Sequence, residues 1–171
     1  LLKLPTTPDA AARLMDEKNV ELFTRQSVYS ASELRSRGEI MLDTYAKVLR
    51  IEALTMSDMC RKKIFPAVSR FSSELSAAVR EKTGLALNCE YELETARKLS
   101  ALLGEANSSL NRLETVLAQC EAHFGPSLKA EKYRDEVLPV MQELRTQVDS
   151  MELLCERWPY PSIGALIFSV R

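Results

Sequence analysis

One heptad pattern constrains the fold of this chain more than any other feature. Between residues 89 and 124 apolar side chains recur at alternating spacings of four and three residues, and Gly125-Pro126 follows at once. This repeat is typical of a helix that packs in a coiled-coil-like bundle, and Gly-Pro marks its end. The apolar seam consists of Leu99, Leu103, Ala106, Leu110, Leu113, Leu117, Cys120 and Phe124.

Two further segments carry the same spacing. The first runs from Ile64 to Leu85, with Lys82 as its one polar position, and the second runs from Val137 to Trp158. Gly84 is expected to be the C′ residue that ends the first of these helices. The members are Ile64, Val68, Phe71, Leu75, Ala78, Lys82 and Leu85, then Val137, Met141, Leu144, Val148, Met151, Cys155 and Trp158.

Prolines and capping residues set the expected limits of the long helices. Ser30 and Glu33 form a capping box, and Asn88 is placed to cap the second helix. Pro66 lacks an amide donor, so it should kink or break the first helix, and Pro139 should kink the third or mark its start. We predict helices over about 31–83, 89–124 and 128–157.

Residues 1–29 predict only short helices. Thr7 is a suitable N-cap, Pro8 fits the first helical position, and a second short segment covers Val20 to Phe23. Neither segment is long enough to be stable alone in water.

The sequence therefore predicts an all-α fold, a long antiparallel three-helix bundle with a kinked first helix and short N-terminal helices. We divide the chain into short helices at 1–29, the bundle at 30–158 and a C-terminal tail at 159–171.

Composition excludes several classes of function. The 171 residues include 23 Lys+Arg and 24 Asp+Glu, for a net charge of −1, which argues against a nucleic-acid partner. No apolar run approaches the roughly 20 residues of a membrane helix, so no membrane partner is expected. Five scattered glycines and one histidine leave no phosphate-binding loop and no His-rich metal site.

Four local features remain as candidates, and none of them yields a catalytic, cofactor-binding or metal-binding residue. Glu90, Glu92 and Glu94 read as solvated carboxylates, and His123 as a cation at a helix C-terminus. The basic cluster Arg61-Lys62-Lys63 reads as a solvated face, with a contact to an acidic neighbour or phosphate as the alternative. The polar segment Asn107-Ser108-Ser109 reads as a polar face, with a bend or partner contact as the alternative.

The cysteines and the N-terminus indicate a compartment. Cys60, Cys89, Cys120 and Cys155 form no C-x-x-C pair, so we expect reduced thiols in a cytoplasmic protein, with a redox or metal role as the alternative. No signal-peptide pattern is present. Because the chain begins with Leu1 rather than Met, we expect it to be a fragment.

A set of short strings stands out in order along the chain. The strings are Leu4-Pro5-Thr6-Thr7-Pro8, Lys18 to Phe23, Ser32 to Arg37, Glu39-Ile40, Ile51 to Met56 with Asp58-Met59, Ile64 to Val68, Tyr133 to Pro139, Trp158 to Pro161 and Leu166 to Val170. In this order and spacing they resemble the C-terminal region of type III glutamine synthetases, the large bacterial form. Gly38, Cys60 and Ile163 depart from the pattern expected of that family.

The resemblance implies a parent enzyme that joins ammonia to glutamate with ATP and a divalent metal, Mg or Mn, in stacked rings of subunits. Its substrate and metal sites would lie upstream, so the isolated chain is expected to be inactive, with no cofactor of its own. Residues 1–29 would be the tail of the catalytic domain. The expected partners are that domain of the same polypeptide and neighbouring subunits of the ring.

The segment from Ile40 to Met59 is apolar on several faces, which suggests contacts on more than one side. Without the catalytic domain we expect the fragment to form a homodimer through Met41, Tyr45, Val48, Leu49 or their neighbours. The alternative is that the N-terminal segments 10–15 and 20–23 fold back and cover this apolar surface. Two other hypotheses stay open: a stand-alone helical protein-interaction module, for which the seams alone would suffice, and an independent enzyme, for which no catalytic constellation exists.

Overall fold

The computed structural model describes residues 6–120, 125–155 and 158–159, and every regular element among them is helical. The predicted all-α class is confirmed for this part of the chain. The elements are α1 (Thr7–Leu14), α2 (Glu17–Arg25), α3 (Ala31–Met59), a first π turn (Cys60–Ile64), α4 (Phe65–Gly84), α5 (Glu90–Cys120), α6 (Pro126–Lys132), a second π turn (Tyr133–Val137) and α7 (Leu138–Glu152).

The chain divides into two compact units, each made from two separate stretches of sequence. One unit is drawn from Leu1–Leu54 and Leu113–Val140, and the other from Thr55–Arg112 and Met141–Arg171. The long helices α3 and α5 each contribute residues to both units. Neither unit therefore corresponds to one continuous stretch of the sequence.

Short polar side chains cap the N-termini of α1, α3 and α5. The Ser30 hydroxyl accepts from the Glu33 amide at 3.3 Å, and the Glu33 carboxylate accepts from the Ser30 amide at 2.7 Å, which confirms the capping box. Asn88 accepts from the Glu90 amide at 2.9 Å at the start of α5, as predicted. The α1 cap is Thr6, so the prediction of Thr7 was wrong: the Thr6 hydroxyl faces the Asp9 amide, three residues on.

The prediction that Gly84 ends α4 as its C′ residue was also wrong. The backbone turns at Ala86, whose φ is 54°, and the Leu87 amide donates to the Lys82 carbonyl at 2.9 Å. This is the 6→1 bond of a Schellman motif, in which C′ takes the left-handed conformation. Because the chain turns two residues later than expected, Leu85 leaves the seam and is 71% exposed.

Prolines are accommodated by π turns. Pro66 does not break the helix, because the preceding residue, Phe65, donates its amide to the Cys60 carbonyl five residues back. The second π turn repeats this arrangement, with Leu138 donating to the Tyr133 carbonyl immediately before Pro139. Proline has no amide hydrogen, so it cannot donate to the carbonyl four residues back. In the wider π turn the residue before the proline donates to the carbonyl five residues back.

The third long helix ends earlier than predicted. α7 stops at Glu152 rather than at 157. The amides of Leu154 and Cys155 both donate to the Met151 carbonyl, at 3.1 and 3.0 Å, so the chain tightens into a turn.

Most of the predicted seam positions among the described residues are buried. In α5 all of them from Leu99 to Cys120 are buried except Leu103, which is half-buried, and Phe124 lies outside the described residues. Lys82, the polar position of the first seam, pairs with Glu92 across the α4–α5 connection at 2.5 Å. The fully buried members in the last seam include Val137, Leu144 and Met151.

In the first unit, α1 packs against α3 and α6. Ala11, Leu42 and Ala130 form a buried cluster, with Met15 and Tyr45 packed against it. Gly38 is buried beside Met15: a Cβ at this position would lie 2.5 Å from the Met15 Sδ. The departure of Gly38 from the family pattern thus has a physical reason, since its missing side chain makes room for Met15.

We expect Leu110→Ala and Leu144→Ala each to lower the free energy of unfolding by about 2–5 kcal/mol, because both side chains are fully buried and truncation leaves a cavity. Leu153→Ala is the matched control, since that side chain is 87% exposed. Urea denaturation measures the difference. A loss below about 0.5 kcal/mol at either seam position would contradict the core assignment.

We expect Ala86→Gly to raise the free energy of unfolding by roughly 0.5–1 kcal/mol, because it relieves a left-handed residue that carries a Cβ. The same substitution at Ala101, inside α5, should have the opposite sign and cost about 0.5–1 kcal/mol. Thermal and urea denaturation of the two variants give the comparison. Destabilisation by both would show that the Ala86 turn is not strained.

Candidate functional site

The polar residues singled out from the sequence do not form a catalytic cluster. In the part of the chain that the structure describes, no group of three or more His, Cys, Asp or Glu side chains is arranged to hold a metal ion. The four cysteines, all of them described, form no disulfide, and burial raises the pKa of the Cys60 thiol to about 11. His123 lies outside the described residues.

The acidic residues at the start of α5 take part in ordinary ion pairs. Glu92 pairs with Lys82, and Glu94 pairs with Lys98 at 2.6 Å. Hydrogen bonds from these lysines lower the pKa of both carboxyls. General acid–base work requires carboxyls held in contrasting environments, and these two are held alike.

A more organised polar arrangement centres on Arg134, in the second π turn. Its guanidinium donates twice to the Asp135 carboxylate, at 2.6 and 2.8 Å, and once to Asp9 of α1, at 2.9 Å. The Thr6 hydroxyl donates to the same Asp9 carboxylate at 2.5 Å. We call Asp9, Arg134 and Asp135 the arginine clasp. It fastens α1 to a segment 125 residues further along the chain.

The arginine clasp lies beside buried residues of the first unit and shifts the pKa values of its own and neighbouring groups. Hydrogen bonding to Arg134 lowers the pKa of Asp135, and the same bonds raise the pKa of Arg134. Burial raises the pKa of the Tyr45 hydroxyl nearby, with the Arg134 charge opposing that shift. Tyr133, the first residue of the turn, is fully buried. The arginine clasp therefore connects α1 to the second π turn. Both of its carboxylates accept hydrogen bonds from Arg134, so neither is placed to act as a catalytic acid or base.

A second feature is an exposed apolar strip on α3. Ile40, Val48, Ile51 and Leu54 recur at helical spacings and are each exposed by about half or more, with Met41 beside them. The opposite side of α3 is buried and includes Leu34, Leu42 and Ala53. We call Ile40, Met41, Val48, Ile51 and Leu54 the outer face of α3.

The outer face corrects the predicted dimer surface. Leu49 is buried on the core side, 7% exposed, and Tyr45 packs against the first core, so neither belongs to a free surface. Met41 and Val48 are exposed as predicted. Apolar residues cover both sides of α3, so the sequence alone did not distinguish the side that its own chain covers.

The basic cluster and the polar segment come together in the second unit. Arg61 of the first π turn and Asn107 of α5 line the same groove, and Arg61 donates to Asn111 at 3.4 Å. Lys62 pairs with Asp58. Ser109 is buried and donates to Glu143 at 3.1 Å. The two segments were separate candidates in the sequence, and their proximity required the fold.

None of the described helices is long and apolar enough to cross a membrane.

These features define a class of protein. It is a helical domain whose polar side chains connect neighbouring helices, and part of its apolar surface is left exposed by its own chain. The comparison with known proteins gives the family. Residues 1–83, just under half of the chain, match the model described as the glutamine synthetase C-terminal domain. The predicted resemblance is confirmed.

Three relatives show how far the similarity extends. The chain is 31% identical to a glutamine synthetase of Butyrivibrio fibrisolvens, over all of this chain and 25% of the relative. It is 29% identical to the type-3 glutamine synthetase of Dictyostelium discoideum, over 98% of this chain and 24% of the relative. It is 22% identical to a glutamine synthetase of Bacteroides fragilis, over 95% and 23%. The chain thus spans about a quarter of the length of these relatives, their C-terminal quarter.

We expect Arg134→Gln to return the pKa of Asp135 toward the ordinary aspartate value, because the hydrogen bonds that stabilise the carboxylate are lost. With a depressed folded-state pKa, the contribution of Asp135 to stability is present above the unfolded-state pKa and is lost as pH falls through the folded-state value. NMR titration of the Asp135 carboxyl in both chains measures the shift. Asp16→Asn is the control, and an unchanged Asp135 titration in Arg134→Gln would contradict the clasp.

Proposed function

We propose that this chain is the C-terminal, non-catalytic packing domain of a type III glutamine synthetase. The parent would be a cytoplasmic, ATP-dependent glutamate–ammonia ligase that uses Mg or Mn. Its substrate and metal sites would lie in the three quarters of the polypeptide that precede this region in the relatives. The support is the family match, the type-3 name of one relative and the position of the similarity.

The proposal includes an architecture. Residues 30–158 would form an antiparallel three-helix bundle whose first helix is kinked near Pro66, and residues 1–29 would continue the catalytic domain. The first π turn supports the kink, since helices bend at π turns and prolines. The arginine clasp supports close packing between residues 1–29 and the proposed bundle, because it ties α1 to the second π turn.

The observation that carries the function is the outer face of α3. Monomeric proteins rarely leave large contiguous apolar patches exposed, and a patch on a long helix is typical of an interaction surface. Ile40 and Ile51 are 61% and 62% exposed, although they stand on a helix whose opposite side is a well-packed core. We propose that the preceding catalytic region, of the same or a neighbouring subunit, covers this face in the ring.

We expect Ile51→Asp in the full-length parent to weaken ring assembly, because a charge would have to be buried in the proposed contact. Sedimentation velocity measures the assembly, and glutamine formation from glutamate, ammonia and ATP measures the activity. Leu153→Asp is the matched control, since it adds the same charge at an exposed leucine that is not part of the outer face. The isolated chain should show no ATP-dependent glutamine formation.

Two results would overturn this proposal. Turnover by the purified isolated chain would remove its non-catalytic assignment. Assembly of Ile51→Asp indistinguishable from that of Leu153→Asp would remove the docking role of the outer face. Circular dichroism of the isolated Ile51→Asp chain tests whether the variant still folds, and we expect that it does because Ile51 is 62% exposed.

A further inference from the structure

A shallow groove of about 540 Å³ runs along the second unit, between the start of α4 and the middle of α5. Phe65 and Pro66 form one wall and Leu103 lies on the other, so its surface is largely apolar. Gly104 opens the groove, since a Cβ built at this residue would meet no atom within 4 Å. Arg61 and Asn107 provide polar groups at its rim.

Basic residues are concentrated beside this groove, in the first π turn. The first π turn, Cys60–Ile64, carries Arg61, Lys62 and Lys63 and no acidic residue. All three are exposed. Lys62 pairs with Asp58 on the surface, and such exposed pairs contribute at most about 1 kcal/mol, so a partner carboxylate competes with them at little cost. The groove therefore suits an acidic segment with an apolar anchor.

The chain itself presents a segment of this chemistry at the α4–α5 connection. Tyr91 is 73% exposed, and Leu85 and Leu87 beside it are exposed as well. The first five residues of α5, Glu90–Glu94, contain three carboxylates and no base. We call Leu85, Leu87, Glu90 and Tyr91 the hairpin tip. Glu90 is the acidic residue of the tip, since Glu92 and Glu94 pair with Lys82 and Lys98 of their own chain.

The tip cannot occupy the groove of its own chain. Tyr91 and Gly104 lie on the same helix, thirteen residues apart, which corresponds to about 20 Å. The rigid helix fixes this separation. An occupant of this kind therefore has to come from another copy.

We propose that the hairpin tip of one copy docks in the groove of a second copy, with Tyr91 over Leu103 and Gly104 and with Glu90 facing the basic π turn. The contact is heterologous, because it joins two different surfaces of the same chain, and repetition of such a contact builds a ring or an open array. Aromatic residues buried at the centre of an interface carry much of its binding free energy. This interface is separate from the outer face of α3.

Two single variants and their mixture test the proposal. Tyr91→Lys places a cation against the basic rim, and Gly104→Leu fills the groove while favouring the helix. Sedimentation equilibrium of the 171-residue chain up to about 1 mM should show self-association, weakened at least about tenfold in each variant alone. An equimolar mixture of the variants should form a 1:1 dimer that grows no further, because the mixture contains one intact tip and one intact groove.

The controls distinguish this contact from other modes of association. Ile51→Asp should leave tip–groove association unchanged, so a loss in that variant alone would assign association to the outer face and overturn the present proposal. A chain that remains monomeric to about 1 mM would also overturn it. So would a mixture that fails to pair although each variant folds by circular dichroism. Charge exchange gives a second positive test: Lys63→Glu should weaken association, and adding Glu90→Lys should restore it.

Discussion

The burial of one edge of α5 is the constraint on which the rest of the structure depends. From Leu99 to Cys120 its seam residues are buried, with only Leu103 half-buried, and Leu110 and Leu113 are fully inaccessible. Burying a leucine side chain contributes about 1.5–3 kcal/mol, whereas an exposed ion pair typically contributes at most about 1 kcal/mol. Within the seam segment, the buried Ser109 hydroxyl donates to Glu143 of α7, which satisfies this polar group across two helices.

Both π turns allow a helix to continue past a proline. In each, a proline interrupts a helix that packing requires to continue, and a buried aliphatic residue stands two positions before it: Ile64 before Pro66 and Val137 before Pro139. Each turn also carries an arginine five positions before the proline. Arg61 reaches Asn111 of α5, and Arg134 reaches Asp9 of α1. The wider turn thus keeps the helix continuous while directing a long cation toward a neighbouring element.

Sequence patterns predicted what depends on local spacing. The seams, the capping box at Ser30 and the cap at Asn88 follow from spacing along one helix. Errors arose where two local solutions compete: Thr6 replaced Thr7, and the turn at Ala86 replaced the expected one at Gly84, although glycine is the favoured residue there. The clasp between Asp9 and Arg134 and the meeting of Arg61 with Asn107 join distant segments, and nothing in the spacing of either segment signals the other.

Most of the ion pairs given for the described residues join side chains that are close together in the sequence. Specificity for a partner therefore has to come largely from other groups. Pairs such as Lys47–Asp43 and Lys98–Glu94 join residues one helical turn apart on exposed faces, and they discriminate little between partners. The exposed apolar groups are different, since the outer face of α3 and the hairpin tip each expose surface that water disfavours. The family model ends at residue 83, just before the tip, whereas α3 lies wholly inside it. The outer face therefore lies in the part of the chain that matches the family model, and the tip lies in the part that follows it.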